Sequence, residues 1–162
     1  MIHMIVLAMA CLFASCQDSS KLVISDLQCE YLDAPLAIDN TTPHFGWKMA
    51  CGQKGTSSSA YQLLVASELD KLNEEEADLW NSGKVSSDTS IGIAYGGKAL
   101  TSRTQAYWKV RVWNQADVPS EWSKPSSFGI GMLSENDWSA EARFIGVEQA
   151  DEKSHSAPVL RK

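Results

Sequence analysis

Gln105–Phe128 reads QAYWKVRVWNQADVPSEWSKPSSF, and its first half alternates without a break. Trp108, Val110 and Val112 fall on one side of an extended chain, and Lys109, Arg111 and Trp113 on the other. That period of two is the pattern of a strand buried on one face. Asn114 to Ser120 supply polar turn formers, and a second strand-like run ends near Phe128. Two antiparallel strands joined in this way predict the closing hairpin of a two-sheet structure.

Working back from that hairpin, the chain keeps producing short extended segments. LVISDLQCEYL, Leu22 to Leu32, predicts a first strand, and DAPLAIDNTTP after it a loop. Pro43 to Ala50 predicts a second strand with Phe45, Trp47 and Met49 on one face, and Ala60 to Ser67 a third. Only Glu68 to Trp80, ELDKLNEEEADLW, has helical character, with Leu69 and Leu72 three apart. Leu79–Val85 and Ser86–Leu100 read as short strands, the latter with Ile91, Ile93 and Tyr95 alternating against Gly92 and Ala94. The total is about seven strands between Leu22 and Met132, which predicts an all-β, immunoglobulin or fibronectin type III-like antiparallel β-sandwich. Such domains carry a tyrosine on the core face where the penultimate strand begins, its hydroxyl bonding back to the chain. Parity with Trp108 puts Ala106 there and Tyr107 on the opposite face, so that bond is expected to be missing.

Composition excludes more than it identifies. With 162 residues, 44% hydrophobic and 21% charged, the chain reads as globular. A net charge of −6 without a basic stretch argues against nucleic acid as a partner, since phosphates need a cationic face. The histidines, His3, His44 and His155, are scattered, and no cysteine pair has metal-ligand spacing, so no metal or other cofactor is expected. Glu74, Glu75 and Glu76 read as a solvated turn, not an acid–base pair, because no opposing partner in a cleft is evident. Gly96-Gly97 marks a turn; it lacks the spacing and the following Lys-Ser/Thr of a phosphate loop.

The first sixteen residues, MIHMIVLAMACLFASC, contain no Asp, Glu, Lys or Arg. The apolar run from Met4 to Ala14 is shorter than the about 20 residues of a spanning helix and fits the core of a secretory signal. Leu12-Phe13-Ala14-Ser15-Cys16 resembles the lipobox of bacterial lipoproteins, with Phe13 where leucine is usual. Residues 1–16 are therefore expected to be a signal peptide, Cys16 the lipidated residue and 17–21 a short tether. The expected location is the periplasm or the outer membrane, with the lipid holding the protein to the bilayer. Cys29 and Cys51 remain as disulfide candidates in an oxidising compartment, or Cys29 is a buried thiol.

Beyond Met132 the character changes. LSENDWSAEARFIG, 133–146, reads as a connector with Trp138 and Phe144 as anchors against an adjoining surface. Residues 147–162 are mostly polar until Ala157-Pro158-Val159-Leu160, two residues before Lys162, and read as the start of a second β-sandwich domain. CEYLDAPLAIDNTTPHFGW, AYQLLVAS, LWNSGKV and SRTQAYWKVRVW, in that order and followed by DWSAEARFIG, resemble the amino-terminal immunoglobulin-like domain of bacterial α-L-rhamnosidases, glycoside hydrolase family 78. The resemblance implies a large secreted enzyme that removes terminal α-L-rhamnose from plant polysaccharides or glycosides. It also implies an inverting carboxylate pair in a helical barrel, roughly 6.5–9.5 Å apart. That barrel lies outside these residues, so no catalytic residue is assigned.

Two functions follow for the chain itself. As an accessory domain it spaces and buttresses the catalytic body through contact with downstream domains of the same polypeptide. As a carbohydrate-binding module it would stack rhamnose-containing glycans on Trp80, Tyr107, Trp113 and Trp122. Each of these aromatics has an ordinary reading as a core or interface anchor. Exposed, coplanar tryptophans would favour the module, and buried ones the buttress. A free-standing adhesion domain is the third reading, resting on fold alone.

Overall fold

The computed structural model describes residues 22–52 and 55–143, and these form a two-sheet β-sandwich. One sheet contains β1 (Leu22–Cys29), β2 (His44–Cys51) and β6 (Ile93–Ala94), in the order β1-β2-β6. The other contains β3 (Ser58–Ala66), β4 (Trp80–Asn81), β5 (Val85–Ser86), β7 (Gln105–Asn114) and β8 (Ser126–Gly129). Its order is β4-β3-β7-β8, with β5 also on β3. Every named ladder is antiparallel, and the longest joins β3 to β7 from Ser58↔Asn114 to Ala66↔Tyr107. The expected all-β sandwich is what forms.

The alternation in β7 has its physical cause in the core. Trp108, Val110 and Val112 are fully buried against Leu63 and Val65 of β3, Phe128 of β8 and Phe45 and Trp47 of β2. Phe45 sits at the centre, with ring centroids of Trp108 at 4.6 Å, Phe128 at 5.6 Å, Trp80 at 6.3 Å and Tyr95 at 6.4 Å. Removing such a ring costs about 3–5 kcal/mol, because the cavity collapses only in part.

Several expectations change. Eight strands are present among the described residues, because the Leu79–Val85 and Ser86–Leu100 regions reduce to two-residue ladders at β4, β5 and β6. Ile93 and Tyr95 do enter the core, but Ile91 is exposed; Gly92, at φ 74°, turns the chain between them. Glu68–Trp80 does not form an α-helix. Only Leu69–Lys71 closes a 3₁₀ turn, and Asn73 Oδ1 then accepts the backbone N–H groups of Glu75 and Glu76, a local alternative to helical bonding.

Ala106 is buried, as its parity with Trp108 predicts, and brings no hydroxyl. Its place is taken by Tyr95, whose hydroxyl donates to Lys98 O at 2.8 Å and lies 3.3 Å from Leu79 O. Gly97 makes room for that bond, since a Cβ there would collide with Leu79 O, Trp80 Cβ and the Tyr95 hydroxyl.

No disulfide joins Cys29 to Cys51. In the β1–β2 register Cys29 faces Phe45 while Cys51 faces Leu22, at opposite ends of the ladder. Seven steps along a strand separate those ends by about 23 Å, far beyond the span of a disulfide. Cys29 is a buried thiol, pushed up to about 12 by burial and then by the Glu30 charge.

Candidate functional site

The aromatic residues singled out in the sequence gather mainly on the outer face of β7, beside two cations of that strand. Arg111 projects from β7 between two indoles and Lys109 beside one of them, and Trp122 reaches back from the loop that precedes β8. The ladder runs Lys109, Trp122, Arg111, Trp113, Lys84. Lys109 Nζ lies 5.0 Å and the Arg111 guanidinium 4.7 Å from the Trp122 ring. Arg111 and Lys84 each lie 4.9 Å from the Trp113 ring. Burial pulls the Lys109 ammonium below its ordinary range, against the opposing pull of Glu74.

Two serines put Trp122 in place. Ser120 N–H donates to Val112 O at 2.7 Å, and its hydroxyl accepts from Val112 N–H at 3.1 Å. Ser123 repeats the pair on Val110, at 2.8 Å and 3.1 Å. The hydroxyls thus continue the edge of β7 where β8, paired only to Gln105–Trp108, has not begun. Arg111 is fixed in turn by Gln62 Oε1 at 3.1 Å and 2.8 Å and by Glu74 Oε1 at 2.6 Å. Glu74 therefore serves as an arginine partner.

Each proposed stacking residue is accounted for by this packing. Trp113 is 8% exposed. Trp122 is half-buried and, with Tyr107, packs on a small second core of Leu64, Ala66 and Leu72. Trp80 belongs to the other side, stacked on Phe45 and edge-on to Tyr95 at 5.4 Å. No two of the four are exposed and coplanar; the cations occupy the space over Trp113 and Trp122 that a sugar ring would use.

Trp138, by contrast, is 60% exposed and follows a latched segment. Asp137 closes a capping box with Ser134 at the Glu135–Asp137 3₁₀ turn. Its Oδ2 also accepts from the Ser102 hydroxyl at 2.5 Å and from Leu133 N–H at 3.0 Å. Arg103 Nη2 donates to Asp137 O at 2.6 Å. The Ser102 hydroxyl, then the Ser134 N–H, hold the Asp137 carboxyl below the usual carboxylate range. Asp137, Ser120 and Ser123 were not singled out from the sequence. The sequence carries no periodic signal for Ser120 and Ser123, which stand three residues apart but bond Val112 and Val110, two apart. Phe144, Cys16 and the 147–162 segment lie outside the described residues. Among the described residues no group of three or more His, Cys, Asp or Glu could hold a metal ion. No helix there is long and apolar enough to cross a membrane.

Two facing antiparallel sheets around an aromatic core define an immunoglobulin-like β-sandwich domain. The chain belongs to the family of Rha78A-like N-terminal immunoglobulin domains, whose model matches residues 24–134. It is 43% identical over 146 residues to an alpha-L-rhamnosidase of Formosa agariphila, covering 88% of this chain and 15% of that protein. The crystal structure of Streptomyces avermitilis alpha-L-rhamnosidase complexed with L-rhamnose superposes with a TM-score of 0.69 at 40% identity, over 73% of this chain and 11% of that one. The alpha-L-rhamnosidase from Dictyoglumus thermophilum gives 0.68 at 36% identity, over 71% and 13%. The chain thus spans 12 to 15% of the length of the curated relatives it matches.

Proposed function

We propose that this chain is the non-catalytic amino-terminal domain of an exported α-L-rhamnosidase, which it spaces from a lipid anchor at Cys16 and buttresses by contact with downstream domains. The parent enzyme would remove terminal α-L-rhamnose from plant glycans with inversion, using a carboxylate pair carried elsewhere in the polypeptide. The observation that carries the reading is coverage: the N-terminal domain family matches 24–134, nearly the whole sandwich, while relatives named as rhamnosidases are several times longer. The Ser102–Asp137–Arg103 latch supports it, because chain leaving the sandwich is held against it at that point. An anchored enzyme on the periplasmic or outer-membrane side is the location this reading requires, and substitution of Cys16 by alanine should release it from membranes.

The test uses the full polypeptide with and without residues 22–132. Deletion should lower the thermal midpoint of the catalytic body while the turnover of an aryl α-L-rhamnoside per folded enzyme stays unchanged. Hydrolysis by the 162-residue chain alone, or an unchanged midpoint after deletion, overturns the reading.

A further inference from the structure

The outer face of the β1-β2-β6 sheet is built differently from that of β7. β1 departs from regular pairing at two places. Between Ser25 and Gln28 its register shifts, with Asp26 at φ 50°, and Lys48 Nζ spans the bulge to Asp26 Oδ2 at 3.0 Å. After Cys29 the chain reverses through Glu30 and Tyr31, at φ 51° and 62°. Cys29 N–H donates to Leu32 O at 2.9 Å and Leu32 N–H to Cys29 O at 3.0 Å, closing a two-residue hairpin. Such a turn normally uses Asn-Gly, because both central residues need positive φ. A tyrosine there is strained, and strain of this kind collects at binding sites.

The Glu30 carboxylate holds the turn. Its Oε1 accepts from His44 N–H at 2.7 Å and Asn40 Nδ2 at 3.0 Å, and lies 3.1 Å from His44 Nδ1. Burial works against the charge, but these bonds outweigh it and keep the carboxyl below its ordinary range. The product of this bracing is a tyrosine that remains 68% exposed.

Tyr31 forms one wall of a groove of about 130 Å³, lined also by Gln28, His44, Gly46, Lys48 and Ile91. Gly46 lies opposite Gln28 in the β1–β2 register, so the floor has no side chain there. Ile91, 63% exposed, gives an apolar second wall. Gln28 is half-buried, and its amide makes no hydrogen bond among the described residues.

We propose that this groove binds one neutral pyranose ring, with Tyr31 stacking on its apolar face and Gln28 and Lys48 bonding its hydroxyls. An aromatic platform beside a few convergent polar groups is what a ring with an apolar face and a polar edge requires. The ligand is neutral because the charges at the rim are already matched, Lys48 by Asp26 and Glu30 by hydrogen bonds from His44 and Asn40. A volume of about 130 Å³ is on the scale of a single ring. Only the choice of L-rhamnose as first probe rests on the rhamnosidase reading.

The experiment is an amide-resolved NMR titration of the full 162-residue chain with L-rhamnose and, separately, methyl α-glucoside. Either sugar should produce saturable shifts at Tyr31, Gly46 and Gly92. Tyr31→Ala should weaken binding roughly tenfold, the equivalent of about one aromatic contact. Gly46→Val fills the floor and should abolish it; alanine offers a milder control, since its Cβ would meet Ser90 O at an ordinary 3.5 Å. Retained amide dispersion in each variant shows that the fold is intact. No saturable shift up to the solubility limit of both sugars overturns the proposal, as do shifts centred on Trp122 or affinities unchanged in the variants. Absence of a sugar response in this chain, with the same amides protected from hydrogen exchange once the full polypeptide is used, would overturn the proposal and make the groove an interdomain contact. None of these results alters the deletion test above, so failure of the groove and failure of the accessory reading are separable.

Discussion

Replacing Arg111 with alanine tests whether the outer face of β7 is held by its cation ladder. The guanidinium donates twice to Gln62 Oε1, and Gln62 is only 5% exposed, so its loss leaves a buried acceptor without those donors. That penalty is about 1–3 kcal/mol. The Glu74 pair, with the two side chains 22% and 46% exposed, is screened and adds about 0.2–1 kcal/mol. The contacts over Trp113 and Trp122 add about 0.5–1 kcal/mol each. All of these share one group and do not add fully, which puts the expected loss at about 3 kcal/mol. Arg111→Lys keeps the charge but loses the fork that meets Gln62 and Glu74 together, and should lose about half as much. Urea unfolding followed by far-UV circular dichroism reads both variants without depending on indole fluorescence, which the substitution itself alters. A lower midpoint at unchanged slope reports stability. A loss below about 1 kcal/mol for alanine, or a lysine variant equal to the parent, would refute the ladder as a structural brace.

Three other outcomes follow from the described packing. Tyr95→Phe removes the hydroxyl bond to Lys98 O at 2.8 Å and should cost about 1 kcal/mol in the same unfolding assay. Asp137→Asn should speed hydrogen exchange at Leu133 and Ser134, whose N–H groups donate to Asp137 Oδ2, while β3 and β7 amides keep their protection. Because the Asp137 carboxyl is held low, its contribution is present above the ordinary value of 3.8 and fades as pH falls through the lower folded value. Cys29, raised from 9.0 to about 12, should resist iodoacetamide in the native chain at pH 8 and react on unfolding, as read by peptide mass spectrometry. The sign for stability is the reverse of the aspartate case: the Cys29 contribution is complete below pH 9 and is lost as pH rises toward about 12.

β7 was legible because its two faces differ in burial and chemistry from Gln105 through Val112, before Trp113 and Asn114 break the pattern. β4, β5 and β6 were not, since a two-residue ladder has no period to detect. The failed helix at Glu68–Trp80 shows a different limit. Its leucine spacing was helical, but Asn73 offered its own carbonyl to the following N–H groups, and Leu69 ended up exposed. Parity placed Trp113 outside the core correctly, yet facing away from the core is not the same as facing solvent. Lys84 comes from the loop before β5 and Trp122 from the loop before β8, and neither neighbour is visible from β7 alone. The strained Glu30-Tyr31 turn escaped because a Glu-Tyr pair carries no turn signal of its own; Asn40 and His44, 10 and 14 residues on, make it hold.

The two outer faces therefore differ in what they leave open. The face of β7 is closed by side chains of the same chain: long cation stems lie over indoles, and Tyr107 and Trp122 cover a second small core. A partner approaching there would have to displace contacts already satisfied within the domain. Among the described residues the β1-β2-β6 face has no such cover. Its central strand carries Gly46 and Lys48 outward, and the chain braces Tyr31 beside them in a conformation that L-residues avoid. The second opening is the latched exit, where Trp138 stands 60% exposed one residue beyond Asp137. Under the accessory-domain and sugar-binding proposals, contacts with the rest of a long polypeptide and contacts with a small ligand would therefore form at separate places. If the exit and the β1-β2-β6 face are independent, Asp137→Asn will leave the sugar response of Tyr31 and Gly46 unchanged. Coupling between them in this chain would mean that the latched exit and the groove share one packing unit of the sandwich.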